Sequence, residues 1–269
     1  VETMDPPETQ SSSRKLTAST RPKRILLVED NEINRVVARE MLTAAGHLVT
    51  EATNGKRAVE MVASEAFDLI FMDISMPIMD GRQATREIRT GQGAGAQTPI
   101  VALTANAMAE EQEAFLSDGM NDILTKPLTR DGLLRVIANH TEAGTEVPDT
   151  GIDQSNAIAH AYLDDLRTTL GIEALGHLLD RFAVEVDETL TFLQGHPRQP
   201  PAAIAARAHR IAGSAATLGA VELRTGLLKV EEAAKCADTK AMSDAIDALP
   251  GIWNATRPQM RADQRTAVR

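Results

Sequence analysis

The chain has 269 residues, 43% hydrophobic and 25% charged, with net charge −10 and a pI near 5.1. That is room for two soluble domains, and the acidity excludes a nucleic-acid phosphate backbone as partner. Only 3% of residues are aromatic, too few for a base-stacking surface, and the single cysteine, Cys236, excludes an internal disulfide or a cysteine-rich metal site. No apolar run approaches the ~20 residues that span a bilayer, and no signal-peptide pattern appears. The expected setting is therefore reducing and cytoplasmic, without direct membrane contact in this segment. The start at Val1 fits a piece of a longer protein, and a membrane anchor elsewhere in that parent is compatible with everything here.

Residues 1–22 are rich in Pro, Ser and Thr with no apolar period, and read as a flexible linker. From residue 23 the pattern changes to short apolar runs alternating with segments of helical spacing. Strands are expected over 24–28, 47–51, 67–72, 100–103 and 122–124, and helices over 31–45, 55–64, 81–90, 109–117 and 130–139. Five strands alternating with five helices predict an α/β domain with a doubly wound parallel sheet over 23–140. Residues 141–152 are polar with Gly and Pro and form the expected interdomain linker. Beyond it, through residue 262, only helical periodicity appears, over 161–170, 173–193, 201–218, 220–237 and 240–261, which implies an all-α helical bundle followed by a tail at 263–269.

The strand ends of the first domain carry its chemistry. Glu29 and Asp30 follow the first strand, Asp73 the third, Thr104 the fourth and Lys126 the fifth. In a parallel sheet all of them lie at the carboxyl edge, where such folds bind ligands. Three carboxylates gathered there repel, by about 4 kcal/mol for two charges 4 Å apart at an effective dielectric of 20. A hard divalent cation such as Mg²⁺ relieves this through oxygen ligands, with Lys126 as a second positive group and the Thr104 hydroxyl as a donor. Such a site suits a phosphoryl group in transfer, with an aspartate as nucleophile.

The stretches VEDNEINR, DLIFMDISMPIMDG, PIVALTANA and DILTKPL together resemble the two-component receiver domain. The resemblance implies a flavodoxin-like five-stranded parallel sheet. It further implies Asp73 as phosphoacceptor, Mg²⁺ held by Glu29, Asp30, Asp73 and the carbonyl of Ser75, phosphoryl oxygens bound by Thr104 and Lys126, and a cis Lys126–Pro127 bond. Asn106 and Ser75, two residues after Thr104 and Asp73, would flank the pocket. One position departs from the family: Ile123 stands where an aromatic switch residue is usual.

In the second domain, His209 lies one step off a core stripe of Ile204, Ala208, Ile211, Ala215 and Leu218, with Ala205 and Gly213 four residues either side. This reads as a bare patch around an imidazole, open for a partner's active site, and a neutral imidazole is a competent nucleophile. His209, Gly213, Ser214 and Leu218-Gly219-Ala220 resemble the histidine-phosphotransfer (HPt) motif, a four-helix bundle, although the family's lysine three residues after the histidine is Ala212 here.

A receiver followed by an HPt module resembles the C-terminal part of a hybrid sensor histidine kinase. That implies a phosphorelay from an upstream kinase domain to Asp73, on to His209, and then to a separate response regulator. No ATP-binding kinase motif is present. A Mg²⁺-dependent phosphatase with an aspartate nucleophile is the enzymatic alternative, but its DxDxT motif is not matched by Glu29-Asp30-Asn31-Glu32. A non-phosphorylated interaction scaffold is the third reading, to which Ile123 and Ala212 point.

Overall fold

Apolar runs that send alternate residues to opposite faces build the N-terminal half. A computed structural model describes residues 21–91, 94–105, 109–141, 166–195 and 198–265. In it, β1 (Arg24–Val28), β2 (Leu48–Ala52), β3 (Leu69–Asp73), β4 (Ile100–Thr104) and β5 (Asp122–Thr125) form one parallel sheet in the order β2-β1-β3-β4-β5. Five helices connect and follow them: α1 (Glu32–Ala44), α2 (Gly55–Ser64), α3 (Gly81–Thr90), α4 (Ala109–Ser117) and α5 (Arg130–Thr141).

Ile25, Leu27, Leu69, Phe71, Val101 and Leu103 pack under α1 and α5. Their neighbours Leu26, Val28, Ile70, Met72, Ile100 and Ala102 pack under α2, α3 and α4. Burial on both faces is why these strands are apolar almost throughout. The same period of two decides where the polar strand ends point. Glu29 follows Val28, Asp73 follows Met72, and Lys126 lies two past Leu124, so all three are directed to the α1/α5 side.

Two strands differ from the sequence expectation in a way that matters. β3 begins at Leu69, with Phe67 packed outside it, and includes Asp73, which pairs in register with Leu103. β4 likewise includes Thr104. Asp73 and Thr104 are therefore held by the sheet ladder and not by the loops beyond it. The last helix, α5, continues through Thr141, which the sequence pattern placed in the linker.

The C-terminal half is helical: α6 (Ile172–Gln194), α7 (Pro201–Thr217), α8 (Val221–Lys235) and α9 (Thr239–Arg265). Residues 166–170 are also helical; the rest of the 161–170 expectation, the 142–152 linker and Asn106 lie outside the described residues. Leu175, Leu179, Phe182, Ile204, Ile211, Leu223, Leu249 and Trp253 are buried at the centre. Phe182 and Trp253 meet edge to face at 5.8 Å, and the Trp253 indole donates to Asp187 Oδ1 at 2.8 Å. The join from α7 to α8 is only Leu218-Gly219-Ala220, and Gly219 adopts φ 71, a left-handed conformation that glycine takes without steric cost. Among the described residues, no helix is long and apolar enough to cross a membrane.

Candidate functional site

Glu29, Asp73 and Lys126 converge where β1 and β3 end, the point at which the chain turns from one side of the sheet to the other. The Lys126 ammonium lies 2.7 Å from Glu29 Oε2 and 3.0 Å from Asp73 Oδ2. A backbone bond from Lys126 N to Thr104 O, 2.7 Å, seats the lysine beside the buried Thr104. The Lys126–Pro127 bond is cis, as expected. Asp30 stands at the rim, and carboxylate oxygens of Glu29, Asp30 and Asp73 all lie within 4.8 Å of one another. Ser75 is exposed at the mouth and donates its N–H to Asp73 Oδ1 at 3.3 Å.

The electrostatics are those of an incomplete neutralisation. Glu29, Asp73 and Lys126 are 1%, 4% and 5% exposed, and buried charges are tolerated only when paired. Here one ammonium serves two buried carboxylates with a third beside them. Burial pulls Lys126 toward its neutral form, but Asp73 and Glu29 outweigh it and hold its proton. Glu29 is pushed up to about 7, first by burial and then by Asp73, with Lys126 opposing. Burial and then Glu29 also raise Asp30. An all-oxygen donor set with surplus negative charge is what a hard divalent cation fits.

Asp30 does not cap the helix that follows it. Asn31 does, its side chain accepting from Asn34 N at 3.2 Å. Asn34 in turn donates to Glu29 Oε1 at 3.2 Å, so the first turn of α1 braces the pocket's most buried acid. Ile123, at the position of the usual aromatic, is partly buried against the α2/α3/α4 cluster.

The second centre is His209 on α7, with a side chain 28% exposed. Its Nδ1 lies 3.1 Å from both carboxylate oxygens of Glu231 on α8. An ionised carboxylate only accepts hydrogen bonds, so Nδ1 carries a proton and the Nε2 lone pair is left free of it. Burial raises Glu231, but hydrogen bonds from His209 and from Lys235, whose ammonium is 2.6 Å from Oε1, bring it below the usual carboxylate range.

Family models match both halves: the response regulator receiver domain over residues 25–138 and the Hpt domain over residues 177–259. The chain belongs to the two-component family. The sensor histidine kinase GacS of Pseudomonas protegens is 33% identical over 259 residues, covering 90% of this chain and 28% of that protein. Thus the chain spans little more than a quarter of that relative. The two-component response regulator ORR41 of Oryza sativa is 48% identical over 119 residues, 43% of this chain and 91% of its own length. The receiver domain of the sensor histidine kinase PA1611 of Pseudomonas aeruginosa, solved with a magnesium ion in the active site cleft, is 42% identical. It covers 46% of this chain and 100% of its own, with a TM-score of 0.43.

The Hpt domain is docked on the receiver, which corrects one expectation. Ala205 and Gly213 were expected to leave bare surface around His209, but both are buried, as is Ala212. A Cβ added at Gly213 would lie 3.2 Å from Asn34 Nδ2, so α7 packs closely on α1 here and a side chain at 213 would require Asn34 to shift slightly. Asn31 Nδ2 donates to Ser214 Oγ at 2.6 Å and to Arg210 O at 3.4 Å. Each of three Hpt helices then sends an arginine to the receiver. Arg181 of α6 takes both carboxylate oxygens of Glu32, Arg210 of α7 lies 3.6 Å from Asp30 Oδ2, and Arg224 of α8 donates to Ala105 O at 3.3 Å. Asp30 and Ala105 adjoin Glu29 and Thr104, so the helix bearing His209 lies along the mouth of the acid pocket. Sequence reasoning singled out none of Asn31, Arg181, Arg210 and Arg224; arginines spaced along helices carry the same signature as a solvated face.

Proposed function

We propose that this chain is the relay end of a larger hybrid kinase, with a receiver domain over 23–140 and an Hpt domain over 153–262. In this reading Asp73 accepts a phosphoryl group from an upstream phosphohistidine and His209 passes it on. The docking of the His209 helix across the mouth of the acid pocket carries this reading.

In the first step an Asp73 carboxylate oxygen attacks phosphorus in line. A P–O bond forms as the P–N bond breaks, and the electron pair returns to the donor imidazole. Lys126, already against Asp73, balances the charge on the phosphoryl oxygens together with the Thr104 hydroxyl. Glu29, Asp30, Asp73 and the Ser75 carbonyl would hold Mg²⁺, which would supply further positive charge to stabilise the transferring group. Second, the Nε2 lone pair of His209 attacks the same phosphorus and the Asp73 carboxylate leaves. The ring becomes cationic as it is phosphorylated, and the Glu231 carboxylate on Nδ1–H stabilises that charge. Last, a separate response regulator takes the group from His209.

The test is labelling by a phosphorylated kinase domain. Asp73→Asn should abolish all label, whereas His209→Gln should leave an alkali-labile label on Asp73 and none on a downstream receiver. Label persisting in Asp73→Asn from the same donor would overturn the order of the relay.

A further inference from the structure

Among the described residues, four polar bridges join the Hpt domain to the receiver, and they are not equivalent. Asp30 belongs to the acid pocket, the Ala105 acceptor is a backbone carbonyl, and Asn31 is tied to its role as the cap of α1. Glu32 has none of these duties. It lies on the first turn of α1 with its side chain 44% exposed, and its ion-pair partner is Arg181. It is therefore the one bridging side chain that can differ between receivers without disturbing the phosphoryl chemistry.

Resting on the relay reading, we propose that Arg181 selects the receivers this Hpt domain serves. It does so by pairing with a carboxylate on the first turn of the receiver's first helix, two residues beyond the second of the two pocket acids that follow β1. The guanidinium meets Glu32 with two nitrogens on two oxygens, a planar fork that fixes orientation as well as charge. Rejection is built in too. Glu185, one turn along α6, is 3.8 Å from Arg181, so that cation sits between a carboxylate of its own helix and one of the receiver. A receiver with a basic residue in place of Glu32 would meet Arg181 head on. An Hpt domain without Arg181 would turn Glu185 toward Glu32. An exposed pair of this kind adds little to affinity, while like charges opposed across a contact slow association and exclude the wrong partner. Because the helix that bears His209 also makes this contact through Arg210, Gly213 and Ser214, any separate receiver drawing from His209 must displace the chain's own receiver and present its α1 to Arg181.

The experiment uses the full chain, with acetyl phosphate as a small donor that does not need the interface. Label on Asp73 (alkali-labile) and on His209 (acid-labile) is followed over time. Glu32→Arg and Arg181→Glu should each slow passage to His209 on the order of tenfold, with Asp73 labelling unchanged, and the double reversal should restore most of the rate. Arg181→Lys, which keeps the charge and loses the fork, should fall between; all three side-chain changes are at two half-exposed positions and leave both cores intact. Single variants that transfer like the unchanged chain, or a double variant no faster than the slower single, would overturn the selection and leave the relay standing. An unchanged chain that labels Asp73 but never His209 would overturn the relay and this proposal with it.

Discussion

At the scale of single residues, the two candidate centres are set up by opposite means. Glu29 is crowded. Its carboxyl, raised from an ordinary 4.5 to about 7, stays protonated in the fold at a pH where the unfolded chain has already released the proton. Between those values the fold binds more protons than the unfolded chain, so this group's contribution to stability falls as the pH climbs. A metal ion needs that proton gone. Mg²⁺ affinity measured by calorimetric titration should therefore rise with pH, about tenfold per unit below 7, and level off above it. Stripping the metal with a chelator at about pH 8 should lower the melting temperature more than at about pH 6, because the three carboxylates are then left unscreened. His209 is held, not crowded. With Glu231 on Nδ1, the ring has one orientation and one tautomer. Glu231→Ala should slow transfer to His209 by about 10- to 100-fold, as loss of such orienting partners does elsewhere, while Asp73 labels normally. Glu231→Gln keeps an accepting oxygen and should recover part of the rate. The ¹⁵N shifts of the His209 ring would report the lost tautomer preference directly.

At the scale of elements, the turn from β3 to α3 shows what a sequence does and does not reveal. Gly81 was read as the start of a helix. A Cβ there would come within 2.2 Å of the Asp73 carbonyl oxygen, so the helix begins hard against the backbone of Asp73. Gly81→Ala should cost at least about 2 kcal/mol in chemical denaturation and displace Asp73, lowering its labelling. Three residues earlier, Ile78 sits at φ 72 with 78% of its surface exposed. For a β-branched residue that backbone costs about 1–2 kcal/mol, so Ile78→Gly should stabilise the domain by about 1 kcal/mol after glycine's own entropy cost. Neither constraint is visible in the letters. The sheet itself was, because apolar runs ending on Glu29, Asp73, Thr104 and Lys126 have one solution in a parallel α/β fold. What failed to show was anything decided where two surfaces meet. Ala205 and Gly213 looked like a bare patch around His209; both are buried, Gly213 beside Asn34 of α1. Asn31, which no pattern singled out, both caps α1 and donates to Ser214 across the contact.

At the scale of the whole molecule, the docked arrangement has a kinetic consequence. The apolar cluster beneath α1 and α5 runs on without a break into the Hpt core, and the polar bridges ring the acid pocket's mouth. A tethered partner of this kind sees an effective concentration in the millimolar range. Transfer from Asp73 to His209 within one chain should thus be first order and independent of chain concentration. Mixing a His209→Gln chain, which can only load Asp73, with an Asp73→Asn chain, which can only receive on His209, forces the reaction between molecules. At about 1 µM of each, the mixture should transfer at least on the order of a hundredfold more slowly than the unchanged chain, with a rate that grows in proportion to concentration. Each Hpt domain in that mixture is also covered by its own receiver, so opening the contact should help: adding Glu32→Arg to the Asp73→Asn chain alone weakens the competing intrachain contact and should speed transfer from the His209→Gln chain. If the mixture instead matches the unchanged chain at the same concentration, the reacting pair belongs to two molecules, and the contact between α1 and α7 is a resting state that must open before phosphoryl transfer.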